Sequence, residues 1–280
     1  MQSDRPSLTA AAVALARRDP VRERDLPWPL SPAVSAWAQL GSRAPAFRRV
    51  LEPAVRSASF GLVDHIELRT AAIDAAVAEA VAAGATQLVV LGAGLDARAW
   101  RMSALADVTV FEVDHPATQG GKRALVEGRR PSAAHVVFID VDFERQRLGD
   151  RLMAAGHRPG ERTAWIWEGV TPYLSPEARR ATLSEIGRTS APGSVLALTY
   201  MTPEIVPMPG LRALARRAFG WIGEPLIGGV TPQTLGAELV AAGFVRRADT
   251  SSVDWASRHG GSALRARLFG CERLAVAERV

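Results

Sequence analysis

The chain is 280 residues long and 48% hydrophobic, enough for one sizeable core, with a formal net charge of +5. Lys122 is its one lysine, and the arginines are scattered in short pairs such as Arg17-Arg18 and Arg129-Arg130, which describes a solvated surface and not a stripe tracking a nucleic-acid backbone. The lone cysteine, Cys271, excludes an internal disulfide and fits a reducing, cytoplasmic compartment; no apolar run has the length of a membrane span, and the run 8–16 lacks the positive lead of an export signal.

Residues 1–85 contain no convincing strand. Helical patterns run over 8–18, 33–40, 46–57 and 69–83, broken by a proline-rich bend at 25–32, so this stretch reads as a helical cover. Trp28 in the bend and Trp37 on the next helix read as packing anchors. Arg69 opens the last of these helices, just before the first strand. Its guanidinium could reach a carboxylate held over the following turn, or could be an exposed first-turn arginine.

Residues 87–114 organise the rest. The apolar run Leu88-Val89-Val90-Leu91 is a buried strand that stops at Gly92-Ala93-Gly94-Leu95-Asp96-Ala97, a G-x-G-x-x-A turn. Gly92 and Gly94 let the backbone turn tightly beside a ligand, and small Ala97 lets the next helix lie close to the sheet. Asp96 can cap that helix, whose free N–H groups then face the ligand. A second strand over 108–113 ends in Asp114, 22 positions after Gly92, the spacing of a carboxylate that accepts both hydroxyl protons of a ribose. Turn and acid together grip an adenosine-type ligand.

Pro116 starts a helix over 117–126, and a third strand over 134–139 is closed by Asp140-Val141-Asp142-Phe143. Asp142 could accept the exocyclic amine of an adenine while Phe143 covers its face, or the two could be a solvated acid beside a core phenylalanine. A fourth strand over 163–167 ends in Glu168, and a fifth over 194–200 ends in Tyr200. Ligands of parallel α/β sheets bind outside the carboxyl ends of the strands, so Asp96, Asp114, Asp142 and Glu168 should gather on one rim with Tyr200. Residues 201–230, rich in proline and glycine, read as a lid whose Met208, Leu211, Phe219 and Trp221 face an apolar substrate, or as an insertion packed on the body. A helix over 231–242, a sixth strand from Gly243 and a last strand over 273–277 complete a single α/β domain, a Rossmann-like sheet with helices on both faces.

The segments LGAGLDARAWRM (91–102), FEVDHPATQGGK (111–122), VDF (141–143), WEGVTPYL (167–174) and CERLAVAER (271–279), with SLTAAAVALARR (7–18) upstream, resemble the leucine carboxyl methyltransferase family in the family's own order. These are class I enzymes that use S-adenosyl-L-methionine, and they include bacterial carboxyl O-methyltransferases of polyketide and other secondary metabolism. The resemblance implies that Gly92 touches the cofactor, Asp114 holds the ribose, Asp142 and Phe143 hold the adenine, and Glu168 lies near the methionine part. It also implies that Arg69 holds the cofactor carboxylate, although Glu67-Leu68 stand where the eukaryotic members have tyrosines.

Methyl transfer from a sulfonium is an in-line displacement, so the protein must align the acceptor and exclude water. A carboxylic acid with a pKa of about 4 is ionised at neutral pH, whereas a phenol near ~10 needs a base. None of the five histidines belongs to a motif that marks it as catalytic, which favours a carboxylate acceptor, and Tyr173 and Tyr200 are the candidates for positioning it. The expected activity is methyl-ester formation on a small apolar acid, with a phenolic or enolic hydroxyl as the rival acceptor. A nicotinamide-dependent oxidoreductase would use the same glycine turn and Asp114, but its Tyr-x-x-x-Lys relay is impossible with Lys122 as the one lysine. A protein that binds the cofactor without catalysis would release no S-adenosyl-L-homocysteine. The expected partner is a small-molecule acceptor, with no nucleic acid, membrane or metal involved.

Overall fold

The computed structural model describes residues 61–141, 146–203 and 229–280. The expected helices at 8–18, 33–40 and 46–57, Trp28, Trp37, the adenine candidates Asp142 and Phe143, and most of the 201–230 insertion, including Met208, Leu211, Phe219 and Trp221, lie outside these residues.

Seven strands are described: β1 Gln87–Leu91, β2 Thr109–Asp114, β3 His135–Asp140, β4 Thr163–Trp167, β5 Val195–Met201, β6 Phe244–Ser251 and β7 Glu272–Arg279. They form one sheet in the order β3-β2-β1-β4-β5-β7-β6, and β7 runs antiparallel between β5 and β6. The other neighbouring pairs, from β3 to β5, are parallel. Every residue of β1 and β4 is buried, which is why QLVVL and TAWIW read as continuous runs and not as alternating ones: both faces of a parallel sheet are covered.

The covering helices are α1 Leu62–Ala82, α2 Arg98–Arg101, α3 Pro116–Val126, α4 Leu148–Ala154, α5 Pro176–Arg188, α6 Pro232–Ala241, α7 Ser252–His259 and α8 Ala263–Ala266. On one face, Ile73, Val77 and Ala80 of α1 and Trp255 of α7 share a core with Leu88, Val90, Val110 and Ile166. On the other, Leu152 of α4, Leu183 and Ile186 of α5, and Leu235 and Leu239 of α6 share a core with Val89, Phe111, Trp165 and Leu198. Ser175 and Thr231 cap α5 and α6 with their side chains, and a proline follows each cap where a missing N–H costs nothing.

Three local expectations change. Helix α1 begins at Leu62, so Arg69 lies in its interior and is buried, not at its first turn. Asp64, His65 and Glu67 obscure the apolar period there, yet His65, Ile66, Leu68 and Arg69 are all buried. The helix after the glycine turn is one turn only; Met102 is extended and a 3₁₀ turn, Ser103–Leu105, follows. Helices α7 and α8 occupy the stretch between the expected sixth and last strands, where no element is expected, although the capping box of Ser251 and Asp254 marks the start of α7.

Register sets the rim. Leu91 lies opposite both Val113 and Trp167, and Asp114 lies opposite Asp140. Gly92, Asp114 and Glu168 therefore leave three adjacent strands at one level of the sheet. Among the described residues, no helix is long and apolar enough to cross a membrane and no group of side chains could hold a metal ion.

Candidate active site

The glycine turn and the acid are joined directly. Gly92 N–H and Ala93 N–H both donate to Val113 O, at 2.9 and 3.1 Å, which folds the turn over the end of β2. Gly94 N–H donates to Asp114 Oδ2 at 2.5 Å and His115 N–H to Asp114 Oδ1 at 2.6 Å. Burial raises the Asp114 carboxyl above its ordinary value against the pull of those two backbone donors. Each oxygen keeps a lone pair for a further donor, the requirement for holding a vicinal diol.

Gly92 has φ +66°, and a Cβ placed there would lie 2.6 Å from Val170 Cγ2, in the loop that follows Glu168. The glycine is thus required by backbone conformation and by the approach of the neighbouring loop together. Gly92→Ala is expected to lower stability by about 1–3 kcal/mol, read as a shift in the urea midpoint. A midpoint equal to that of the unaltered chain would show that the turn tolerates a side chain.

Asp96 does not cap the helix, whose N-cap is Ala97; it stands one residue before, with Oδ1 accepting Arg98 N–H at 2.8 Å and its carboxylate facing the Arg98 side chain. Arg98 is 1% exposed and meets Asp96, Asp74 Oδ1 at 2.7 Å and Glu168 Oε2 at 3.1 Å. Burial works against the charge on Arg98, and its three carboxylate neighbours outweigh it, raising its pKa. Arg101 continues the chain of charges to Asp74 at 2.6 Å.

Glu168 also receives Arg69, whose Nε and Nη2 both lie 2.9 Å from Oε1. Arg69 Nη1 donates to Glu272 Oε1 at 2.7 Å, and His65 Nε2 lies 2.5 Å from Glu272 Oε2. Burial alone would raise the Glu272 carboxyl; Arg69 and His65 overcome it and hold the group down at about 2. With a folded value below its ordinary 4.5, Glu272 contributes stability that is present above pH 4.5 and is lost as pH falls through about 2. The loss is on the order of 3 kcal/mol across that window, and Glu272→Gln should flatten this acid limb in urea unfolding followed from roughly pH 5 downward. An unchanged limb in the variant would remove Glu272 as its source.

Beneath the turn, Lys122 Nζ lies 2.5 Å from Glu112 Oε2, both groups being buried, and 5.5 Å from the centre of the Trp100 ring. Burial pushes Glu112 up to about 7 against the attraction of Lys122.

The two tyrosines part company. Tyr173 closes a 3₁₀ turn, Thr171–Tyr173, just beyond Glu168 and is half-buried. Tyr200 has no exposed surface; its hydroxyl donates to Asp249 at 2.7 Å and accepts from Arg273 Nε at 3.2 Å. Burial and the Asp249 carboxylate raise its pKa further. Arg98, Asp74 and Glu272 are not among the site residues expected from sequence. Arg98 stands inside the resembling segment 91–102 and Glu272 inside the last one, 271–279, so those segments were the available signal.

The leucine carboxyl methyltransferase profile matches residues 7–187, more than half of the chain. The chain belongs to the leucine carboxyl methyltransferase family. Two relatives of this family member from Frankia alni, each named "Putative S-adenosyl-L-methionine-dependent methyltransferase", are both 34% identical to it. One match covers 73% of this chain and 65% of the relative, the other 77% of each. Several further relatives are matched over about half of their length. The fold of the family member is also that of two crystal structures. A DUF574 family protein from Streptomyces avermitilis superposes with a TM-score of 0.66 at 15% identity, covering 98% of both chains. A Thermobifida fusca protein described as a "putative methyltransferase" superposes with a TM-score of 0.58 at 19% identity, covering 78% of this chain and 83% of that one.

Proposed function

We propose that the protein is an S-adenosyl-L-methionine-dependent O-methyltransferase that forms a methyl ester on a small, apolar carboxylic acid. The observation that carries this reading is the Asp114 carboxylate, fixed through both oxygens by Gly94 and His115 at the level of the glycine turn, with the Arg69–Glu168 pair one strand beyond the turn.

The described side chains support the cofactor reading at its ribose and amino-acid ends. Asp114 would suit the ribose diol, Arg69 the α-carboxylate and Glu168 the α-ammonium, with Gly92 a further contact and Asp142 and Phe143 assigned to the adenine by the family resemblance. A dinucleotide fits less well. Its pyrophosphate is held by backbone N–H groups at the start of a long helix, whereas here Gly94 N–H is occupied by Asp114 and α2 has four residues. The antiparallel β7 between β5 and β6 also departs from the strand order of the dinucleotide-binding fold.

The bound cofactor supplies a methyl group on a positively charged sulfur. The chain's part is to hold the acceptor oxygen in line with it and keep water away. An ionised carboxylate needs no proton removed; of the two buried histidines, His65 is held by Glu272, and burial pushes the His157 imidazole down to about 4 beside Thr163. Tyr173 is assigned to orient the acceptor, and Tyr200, held by Asp249 and Arg273 at the end of β5, to anchoring that edge of the rim. The proposed setting is the cytoplasm, with a small molecule as partner.

The test is release of S-adenosyl-L-homocysteine with a panel of aliphatic and aromatic carboxylic acids against matched phenols. Turnover with acids alone supports the ester assignment. Turnover with phenols alone would move the acceptor class to a hydroxyl and leave the cofactor assignment standing.

A further inference from the structure

Arg69 is buried, and one carboxylate would neutralise it; it has two. Nε and Nη2 share one oxygen of Glu168, while Nη1 is held 2.7 Å from Glu272, on β7, more than 200 positions along the chain. A guanidinium gripped through one oxygen can pivot about that contact. A second carboxylate on a different nitrogen removes the pivot and fixes the plane of the fork.

Glu272 is itself braced. Its second oxygen meets His65, which stands four residues before Arg69 and therefore on the same face of α1. The His65 ring is stacked on Phe269, with centroids 4.5 Å apart, and tilted against Trp255 at 5.7 Å, so the brace cannot swing. Four carboxylates, Asp74, Asp96, Glu168 and Glu272, face Arg69, Arg98, Arg101 and His65 across this cluster. Glu168 is already shared between Arg69 and Arg98, which leaves Glu272 as the acid that turns Arg69 alone.

We infer that Glu272, backed by His65, is a positioning residue that aims the Arg69 guanidinium at the carboxylate end of the cofactor. The inference rests on the cofactor reading above. It assigns a task to the last strand, whose first residue reaches across to a helix near the other end of the described chain. Glu272 touches no part of the ligand in this assignment and acts through Arg69.

The experiment compares two ligands that share an adenosine thioether and differ at the amino-acid end. Dissociation constants for S-adenosyl-L-homocysteine and for 5′-methylthioadenosine are measured on the unaltered protein and on Glu272→Gln. The expected result is a loss on the order of tenfold or more for S-adenosyl-L-homocysteine, the effect of a misdirected charge-assisted contact, with 5′-methylthioadenosine within about twofold. Equal losses for both ligands would reduce Glu272 to a structural role, and no loss for either would remove it from the site; both overturn the proposal. Should Glu272→Gln fail to fold, His65→Gln keeps the carboxylate and removes its brace, and the same selectivity, on the order of threefold, is expected there. Failure of the unaltered protein to bind either ligand would overturn the cofactor reading as well, and is distinct from every result in which only the variants change.

Discussion

Asp114→Ala is expected to weaken S-adenosyl-L-homocysteine binding by on the order of a hundredfold. Two hydrogen bonds from ribose hydroxyls to a charged acceptor are lost, and bonds to charged groups contribute roughly 1.5–3 kcal/mol each. Part of that is offset by water reaching the vacated position, which leaves about 3 kcal/mol. The variant also strands Gly94 N–H and His115 N–H, the two donors that hold the carboxylate, so a stability loss of about 1–2 kcal/mol should accompany it. Asp114→Asn separates the effects: its amide oxygen can still accept from one of the two donors, yet it cannot accept both hydroxyl protons. Titration calorimetry on a folded Asp114→Asn protein therefore reads the ribose contact with less of the structural loss. Affinity equal to that of the unaltered protein would sink the ribose assignment.

Arg98→Met should be the most destabilising single substitution at this rim. The side chain is 1% exposed and stands among Asp74, Asp96 and Glu168, so its removal takes away the cation shared by three neighbouring carboxylates. Breaking a buried charge cluster by removing one partner costs roughly 3–5 kcal/mol, which for a chain of this size is a fall in Tm of roughly 6–20 °C. Arg98→Lys should recover little. One compact ammonium cannot span three carboxylates that a planar fork reaches from different nitrogens. Urea unfolding of both variants within about 1 kcal/mol of the unaltered protein would show that the cluster is solvated and relaxed, contrary to its burial.

Much of the sheet was legible because a parallel sheet covered on both faces demands apolar runs. LVVL, VTVFEV, HVVFI, TAWIW and VLALTY are such runs, and the observed strands begin and end within one or two residues of them. Asp114 was legible for the same reason: it is the residue at which the second run stops. The start of α1 was not. Asp64, His65 and Glu67 interrupt the apolar period there, and ion pairs to residues beyond position 167 explain why His65 and Arg69 can be buried.

The cluster as a whole is the part that local reading misses. Arg98 follows the glycine turn and looks like any first-turn arginine, yet it closes a contact with Glu168 that spans seventy positions. Tyr200 shows the converse. Its place at the end of β5 suggested a role on the rim, but β6 brings Asp249 to its hydroxyl, a pairing that depends on how the antiparallel edge folds back. Pairings of this kind are set by topology, and spacing along the chain carries no trace of them.

The measurement that tests the central claim most directly is calorimetric titration of the purified full chain with S-adenosyl-L-methionine, S-adenosyl-L-homocysteine and NADPH side by side. The expected result is binding of the two sulfur ligands in the micromolar range, about −8 kcal/mol, with no heat from NADPH. Binding of NADPH with no response to either sulfur ligand would contradict the methyltransferase assignment and would leave the glycine turn and Asp114 as the grip for a different adenosine ligand.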